Sequence, residues 1–165
     1  MLSNLQILSL IMQDSLIAKN KKAYFDYHIH EHFETGIVLQ GWEVKGLRLG
    51  KGQLTDAHAL LKNGEIWLFN ARIQAPKYAS AHILYEETRT RKLLMTRRQI
   101  DRLEGLINRQ GYTLIPTKLY WAQNGRIVKC ELAVASGKKA VDKRATIKER
   151  EWQREKHRTL KLQQR

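Results

Sequence analysis

The chain carries a single cysteine, Cys130, in 165 residues. No internal disulfide can staple it, no Cys/His cluster falls at zinc-finger spacing, and a reducing cytoplasm is the compartment this usage fits. Acidic residues are scarce, sixteen against thirty Lys and Arg, leaving a net charge of +14. Such a balance favours polyanions, because each neutralised phosphate releases condensed counterions, so nucleic acid is the leading partner. Long apolar runs are missing too. The stretch LQILSLIM, residues 5–12, is far too short to span a bilayer. It also lacks the cationic residues before it and the small-residue cleavage site after it that mark a secretory signal. It reads as an arm over residues 1–19, either disordered or a misassigned start with Met12 as the alternative, and no membrane is implied. Catalytic motifs are absent as well: there is no nucleophile elbow, no HExxH and no paired-carboxylate motif. Gly50-Lys51-Gly52 lacks the four-residue gap and closing Gly-Lys-Ser/Thr of a phosphate loop. Neither an enzyme nor a cofactor is indicated.

What is present is enough apolar material, 42% of residues, for one modest core. Between Ala23 and Ala135 it falls in short β-rich segments: AYFDYHI, TGIVLQGWEVKGLRL, ALLKNGEIWLFNARI, AHILYEE, GYTLIPTKLYW and RIVKCELAV. These read as strands, with Asn63-Gly64 and Asn124-Gly125 as tight hairpin turns. One helix is clear over Arg97 to Gln110. Thr96 with Gln99 makes a capping box, Ile100, Leu103, Leu106 and Ile107 share a face, and Gly111 ends it. A second, short helix is expected near Leu54 to Ala59. Six short strands with inserted helices predict a mainly β, OB-fold-like barrel over residues 20–136, an architecture that often binds nucleic acid.

From Gly137 the composition changes. Residues 137–165 hold eleven Lys or Arg against four Asp or Glu, a net of +7 in under a fifth of the length. Thr146-Ile147-Lys148-Glu149 is a capping box from which a helix is expected to start. Yet Ile147, Trp152, Leu160 and Leu162 do not fall on one stripe of a 3.6-residue period. Burying them cannot offset the backbone entropy of ordering the segment, so the free tail is expected to be largely disordered. A polyanionic partner would supply what an oily face does not, as for basic segments that fold on RNA.

Several side chains invite chemistry. His28, His30 and His32 alternate on a strand, and three neutral imidazoles can hold zinc, which would suit a metal-dependent hydrolase. The plainer reading is a solvated or RNA-facing strand. Thr88-Arg89-Thr90-Arg91-Lys92 sets three cations beside the junction with the clear helix, a grouping suited to gripping phosphates. Tyr24, Tyr27, Trp42, Trp67, Tyr120 and Trp121 include candidates for stacking on bases, although most strand aromatics in a small domain are core. Glu34 in so basic a chain reads first as a surface residue or local counter-charge, but it can also accept hydrogen bonds from exocyclic base amines, which no lysine can do.

Asn20-Lys21-Lys22-Ala23, FETGIVLQGWEVK at 33–45, TRTRKLL at 88–94, GYTLIPTKLYW at 111–121, and GKK, DKR and IKEREW in the tail occur in this order. Together they resemble the small protein B family, the SsrA-binding proteins of bacteria, from about Asn20 to the C-terminus. The resemblance implies an OB-fold barrel that clasps the tRNA-like domain of transfer-messenger RNA and supports its charging by alanyl-tRNA synthetase. It further implies travel with elongation factor Tu to stalled ribosomes, where the tail becomes helical in the empty mRNA channel beyond the decoding centre and the nascent chain is tagged for proteolysis. On the RNA-facing surface it places Asn20, Lys21, Lys22, Ala23, Tyr27, Glu34, Leu94 and Lys129. In the ribosome-binding tail it places Lys138, Lys139, the motif Asp142, Lys143 and Arg144, then Lys148, Arg150, Trp152 and Leu160. The chain departs from the family pattern at Val141, where an aromatic or histidine is usual, at Thr159, where an apolar residue is usual, and at Thr96, where histidine or asparagine is common.

Overall fold

The computed structural model describes residues 15–77, 84–123 and 125–163. In chain order the elements are β1 (Ser15–Lys19), α1 (Lys21–Asp26), β2 (Tyr27–Ile37), α2 (Gly41–Arg48), β3 (Gly52–Gln53), β4 (His58–Lys62), β5 (Glu65–Phe69) and β6 (Arg72–Ile73). They continue with β7 (Arg91–Leu94), α3 (Arg97–Gln110), β8 (Thr113–Ala122), β9 (Ile127–Gly137) and α4 (Ala140–Gln163). Six strands form an antiparallel ring in the order β8-β4-β5-β7-β2-β9, closed by the β8–β9 ladder. Closure removes the open edges along which strands aggregate. β1 lies outside the ring, paired to the second half of β8.

The hairpin at Asn63-Gly64 is as expected: both residues have positive φ, and Lys62 pairs directly with Glu65. Pro116, which has no N–H to give a ladder, sits where the β8–β9 register shifts. α3 covers Arg97 to Gln110 as its periodicity predicts, with Thr96 accepting from the Gln99 amide and Gly111 closing it at φ +64°. Its Ile100 and Leu103 join Ile66, Leu68, Leu93, Leu114, Leu119 and Leu132 in the core.

The six ring strands differ in membership from the sequence expectation. AYFDYHI is only half strand, because Asn20 caps α1 and β2 starts at Tyr27. TGIVLQGWEVKGLRL leaves the sheet at Ile37, and Gln40 N donates to Glu43 Oε2 (2.6 Å) to open α2. Local capping there outweighs the β-propensity of the run. The helix expected near Leu54 to Ala59 is a turn at Thr55-Asp56 followed by β4, whose pairing with β5 and β8 settles the choice. In AHILYEE, residues 81–83 lie outside the described residues, and Leu84 to Glu86 have no regular structure. The missing strand is instead Arg91–Leu94, held between β5 and β2. Asn124 also lies outside the described residues. The β8–β9 connection spans residues 123–126 and is longer than a two-residue turn. Ser15–Lys19, within the arm expected over 1–19, is a sheet strand, and residues 1–14 lie outside the described residues.

Candidate nucleic-acid interface

On the outer face of the barrel, register aligns residues far apart in sequence. Leu94 (β7), Gly36 (β2), Lys129 (β9), Tyr120 (β8) and Leu16 (β1) form one cross-strand line. Leu94 and Leu16 are about half exposed, at 50% and 57%. Glycine at position 36 keeps the surface low, because a Cβ there would sit 3.1 Å from Leu94 Cβ. The neighbouring line runs Glu34, Glu131, Lys118 and Lys19.

Glu34 and Glu131 are directly opposite across β2 and β9, a like-charge pair that destabilises a sheet unless each carboxylate has donors. Both do. Tyr120 Oη donates to Glu34 Oε2 (2.6 Å), and Lys129 Nζ lies 3.0 Å from Glu34 Oε1. Those two hydrogen bonds, the tyrosine's first, hold the Glu34 carboxyl below the usual glutamate range. Glu131 accepts from Thr117 Oγ1 (2.7 Å) and Lys118 Nζ (2.8 Å), with His32 Nδ1 at 3.1 Å. Burial alone would raise the Glu131 carboxyl; the Lys118 and Thr117 hydrogen bonds prevail and lower it. Its hydrogen bond in turn raises Lys118.

Of the RNA-facing residues expected from the resemblance, Glu34, Leu94 and Lys129 therefore converge. Lys21 and Lys22 stand exposed on α1, Lys22 paired with Asp56 at 3.1 Å, and Tyr27 is half-buried. Asn20 and Ala23 are buried. The Asn20 side chain accepts from the Ala23 amide (3.0 Å) and donates to the Pro116 carbonyl (3.1 Å), so it shapes the start of α1.

In the phosphate grip expected from Thr88 to Lys92, the three cations already have partners within the fold. Arg91 is fully buried, its Nε donating to Glu43 Oε1 (2.7 Å) and its terminal nitrogens to the carbonyls of Ala71, Arg89 and Glu87. Arg89 makes two hydrogen bonds to Glu43, at 2.8 and 2.5 Å, and Lys92 pairs with Glu65. A buried carboxylate on α2 thus holds both arginines. Sequence reasoning missed Glu43; its only signal was the Gln40-x-x-Glu43 capping spacing.

The histidines part company. All three are exposed, with a register shift between Ile29 and Glu31, and each ring has a different partner. His30 bonds Ser136 Oγ at 2.8 Å and stacks on Tyr112, His28 lies 3.4 Å from Asp142, and His32 faces Glu131. Among the described residues no group of three possible ligands could hold a metal ion. Of the aromatic candidates, Trp121 is in the core and Trp42 packs on Tyr85 while its indole N–H donates to Gln40.

The tail begins where β9 ends. Lys138 N and Nζ donate to the carbonyls of Asp26 and Tyr24, at 2.9 and 3.1 Å, and Lys143 Nζ pairs with Asp26 at 2.9 Å. α4 starts at Ala140, not at the Thr146 capping box. Thr146 sits inside the helix, with Oγ1 donating back to the Asp142 carbonyl. Asp142 in the first turn complements the helix dipole and accepts from the Lys139 amide (3.3 Å). Farther along α4, the Arg150 guanidinium lies over the Phe25 ring of α1, 5.7 Å from its centroid. Arg144 and Lys148 are exposed, as is every described side chain from Ile147 through Lys161, Trp152 and Leu160 among them.

These features define a small OB-type barrel protein with a mixed polar and apolar sheet face and a cationic helical extension. A family model described as SmpB protein matches residues 17–162, and the chain belongs to that family. The SsrA-binding proteins of Alcanivorax borkumensis and Chromohalobacter salexigens are each 52% identical to it, covering 88% and 89% of this chain and 90% and 92% of those relatives. That of Pseudomonas entomophila is 49% identical over 88% of this chain and 89% of its own length. A solved structure described as "tmRNA-SmpB: a journey to the center of the bacterial ribosome" contains a chain 36% identical to this one. The two superpose with a TM-score of 0.57 over 78% of this chain and 85% of that one. No helix among the described residues is long and apolar enough to cross a membrane.

Proposed function

We propose that this chain is an SsrA-binding protein of trans-translation, a non-enzymatic RNA-binding factor of the bacterial cytoplasm. Its barrel binds the tRNA-like domain of transfer-messenger RNA, and its tail enters the empty mRNA channel of a stalled ribosome, so that the nascent chain is tagged and the ribosome released. Alanyl-tRNA synthetase and elongation factor Tu act on the same RNA and are indirect partners. The observation that carries this reading is the near-complete family match, which spans the barrel and almost all of α4. The Glu34–Lys129–Leu94 grouping and a 24-residue helix whose cations from Lys148 to Lys161 lie in solvent suit the two halves of the task.

The unit boundary is proposed at Gly137, and the tail exchanges between helix and disorder until RNA neutralises it. The test is competition binding with transfer-messenger RNA and bulk transfer RNA, on the full chain and on a chain ending at Ser136, paired with a tagging assay. Both forms should bind transfer-messenger RNA selectively, and only the full chain should support tagging. Selective binding that vanishes with the tail would refute the division of labour. Unselective binding by the full chain would refute the function.

A further inference from the structure

The C-terminus of α1 lacks what a helix end favours, and the tail supplies it. α1 has no basic residue in its last turn, and its final residue, Asp26, is acidic. Helix C-termini favour cations and disfavour carboxylates, because their last carbonyls have no partner within the helix. Lys138 Nζ donates to the Tyr24 carbonyl (3.1 Å) and Lys143 Nζ to Asp26 Oδ1 (2.9 Å), each cation arriving from 114 and 117 positions along the chain. On the strand that follows α1, His28 Nε2 lies 3.4 Å from Asp142 Oδ2. Lys143, Thr146 and Arg150 recur at spacings of three and four, which puts them on one face of α4. Lys143 and Thr146 are half-buried, and the Arg150 guanidinium lies over the Phe25 ring of α1. From Glu151 to Lys161, by contrast, every side chain is exposed.

Building on the tail's role proposed above, we propose that the corner between α1 and β2, made by Phe25, Asp26 and His28, is a dock for the protein's own tail. In the docked state Lys143 and Arg150 are withheld from RNA. A lysine already paired with Asp26 gains little from a phosphate until that pair is broken, whereas the exposed cations from Arg154 to Lys161 meet an anionic surface directly. The distal tail therefore makes first contact, and only a surface that reaches back to position 143 opens the dock. The Lys143 and Asp26 side chains keep 37% and 23% of their exposure. Ion pairs this open are individually weak, so the dock is reversible.

Amide hydrogen exchange of the full-length protein, read by mass spectrometry, tests the dock by comparing residues 143–150 with 152–161. The first segment should exchange more slowly. Asp26→Lys and Lys143→Asp should each raise it to the rate of the second, and the double variant, which has the native net charge, should restore the difference. Lys143→Asp lies outside the barrel, so it reports on the dock even where Asp26→Lys disturbs α1. Equal exchange in the two segments of the native protein, or protection that neither single variant removes, overturns the dock. A double variant no better protected than the single ones overturns the Asp26–Lys143 pair as its basis. Withholding is measured with oligouridylate as the polyanion. Asp26→Asn should bind it about threefold or more tightly than Asp101→Asn, as for a binding-competent state populated about one-third of the time. Asp101→Asn is the control because it removes the same charge from an exposed pair with Arg97 on α3. Equal affinities overturn the withholding. Exchange is read on the free protein, so failure of the native chain to bind transfer-messenger RNA selectively overturns the function and leaves the dock standing.

Discussion

Replacing Glu43 by glutamine tests the least expected feature of the barrel. The Glu43 side chain is inaccessible, as is that of Arg91, while Arg89 is 20% exposed. Breaking a buried ion pair from one side strands the other charge and costs about 3 to 5 kcal/mol. Arg91 keeps three carbonyl acceptors, on Ala71, Arg89 and Glu87, which places the expected loss near the lower end, about 3 kcal/mol. For a chain of this size that corresponds to a fall in Tm of roughly 6 to 12 °C, a large share of a total stability of about 5 to 15 kcal/mol. The sign of the pH dependence is fixed as well. Burial would raise the Glu43 carboxyl, but hydrogen bonds from Arg89 and the Gln40 backbone and the charge of Arg91 hold it below its usual value. A carboxyl lowered in the folded state stabilises fully above its unfolded pKa, and the contribution is lost as pH falls through the folded value. The gap between the native protein and Glu43→Gln should therefore narrow as pH drops below about 4.3, the ordinary glutamate value. Urea denaturation at pH 7 and at successively lower pH measures this. A cost under about 1 kcal/mol at pH 7, or a gap that does not narrow in acid, would refute the claim that Glu43 neutralises the two arginines.

Two further outcomes are expected. Burial pushes the Cys130 thiol up to about 12, so it should resist a thiol reagent at pH 8 in the native protein and react fully once denatured; rapid native labelling would contradict the packed core. A synthetic peptide of residues 138–165 should show weak helical circular dichroism in low salt and gain helix on addition of an RNA polyanion, because α4 gives its large apolar residues no common buried face. A peptide already fully helical alone would show that the tail needs no partner.

Where capping and periodicity agreed, the fold was legible in the residues. Arg97 to Gln110 emerges with both ends in place because its box, its apolar face and Gly111 agree. The Asn63-Gly64 hairpin was equally plain. The strands near α1 and α2 were misread because their apolar residues satisfy a strand window while backbone capping by Asn20 and by the Gln40–Glu43 pair dictates helix. At the site, Glu34 reads from the sequence as a surface carboxylate or local counter-charge that can also accept hydrogen bonds from base amines. Its alignment with Lys129 and Tyr120 depends on β2, β8 and β9 meeting in one register, which composition does not encode. The arginines carry the sharper lesson. Arg89 and Arg91 lie in a string that reads as a phosphate grip, yet the fold uses both to neutralise a carboxylate 46 and 48 residues away. The cations from Lys148 to Lys161 are exposed for the opposite reason: the described apolar side chains among them, Trp152 and Leu160, form no buried stripe. A basic residue's availability to a polyanion thus follows from whether the surrounding sequence can pack it, and net charge alone overstates the surface left for RNA.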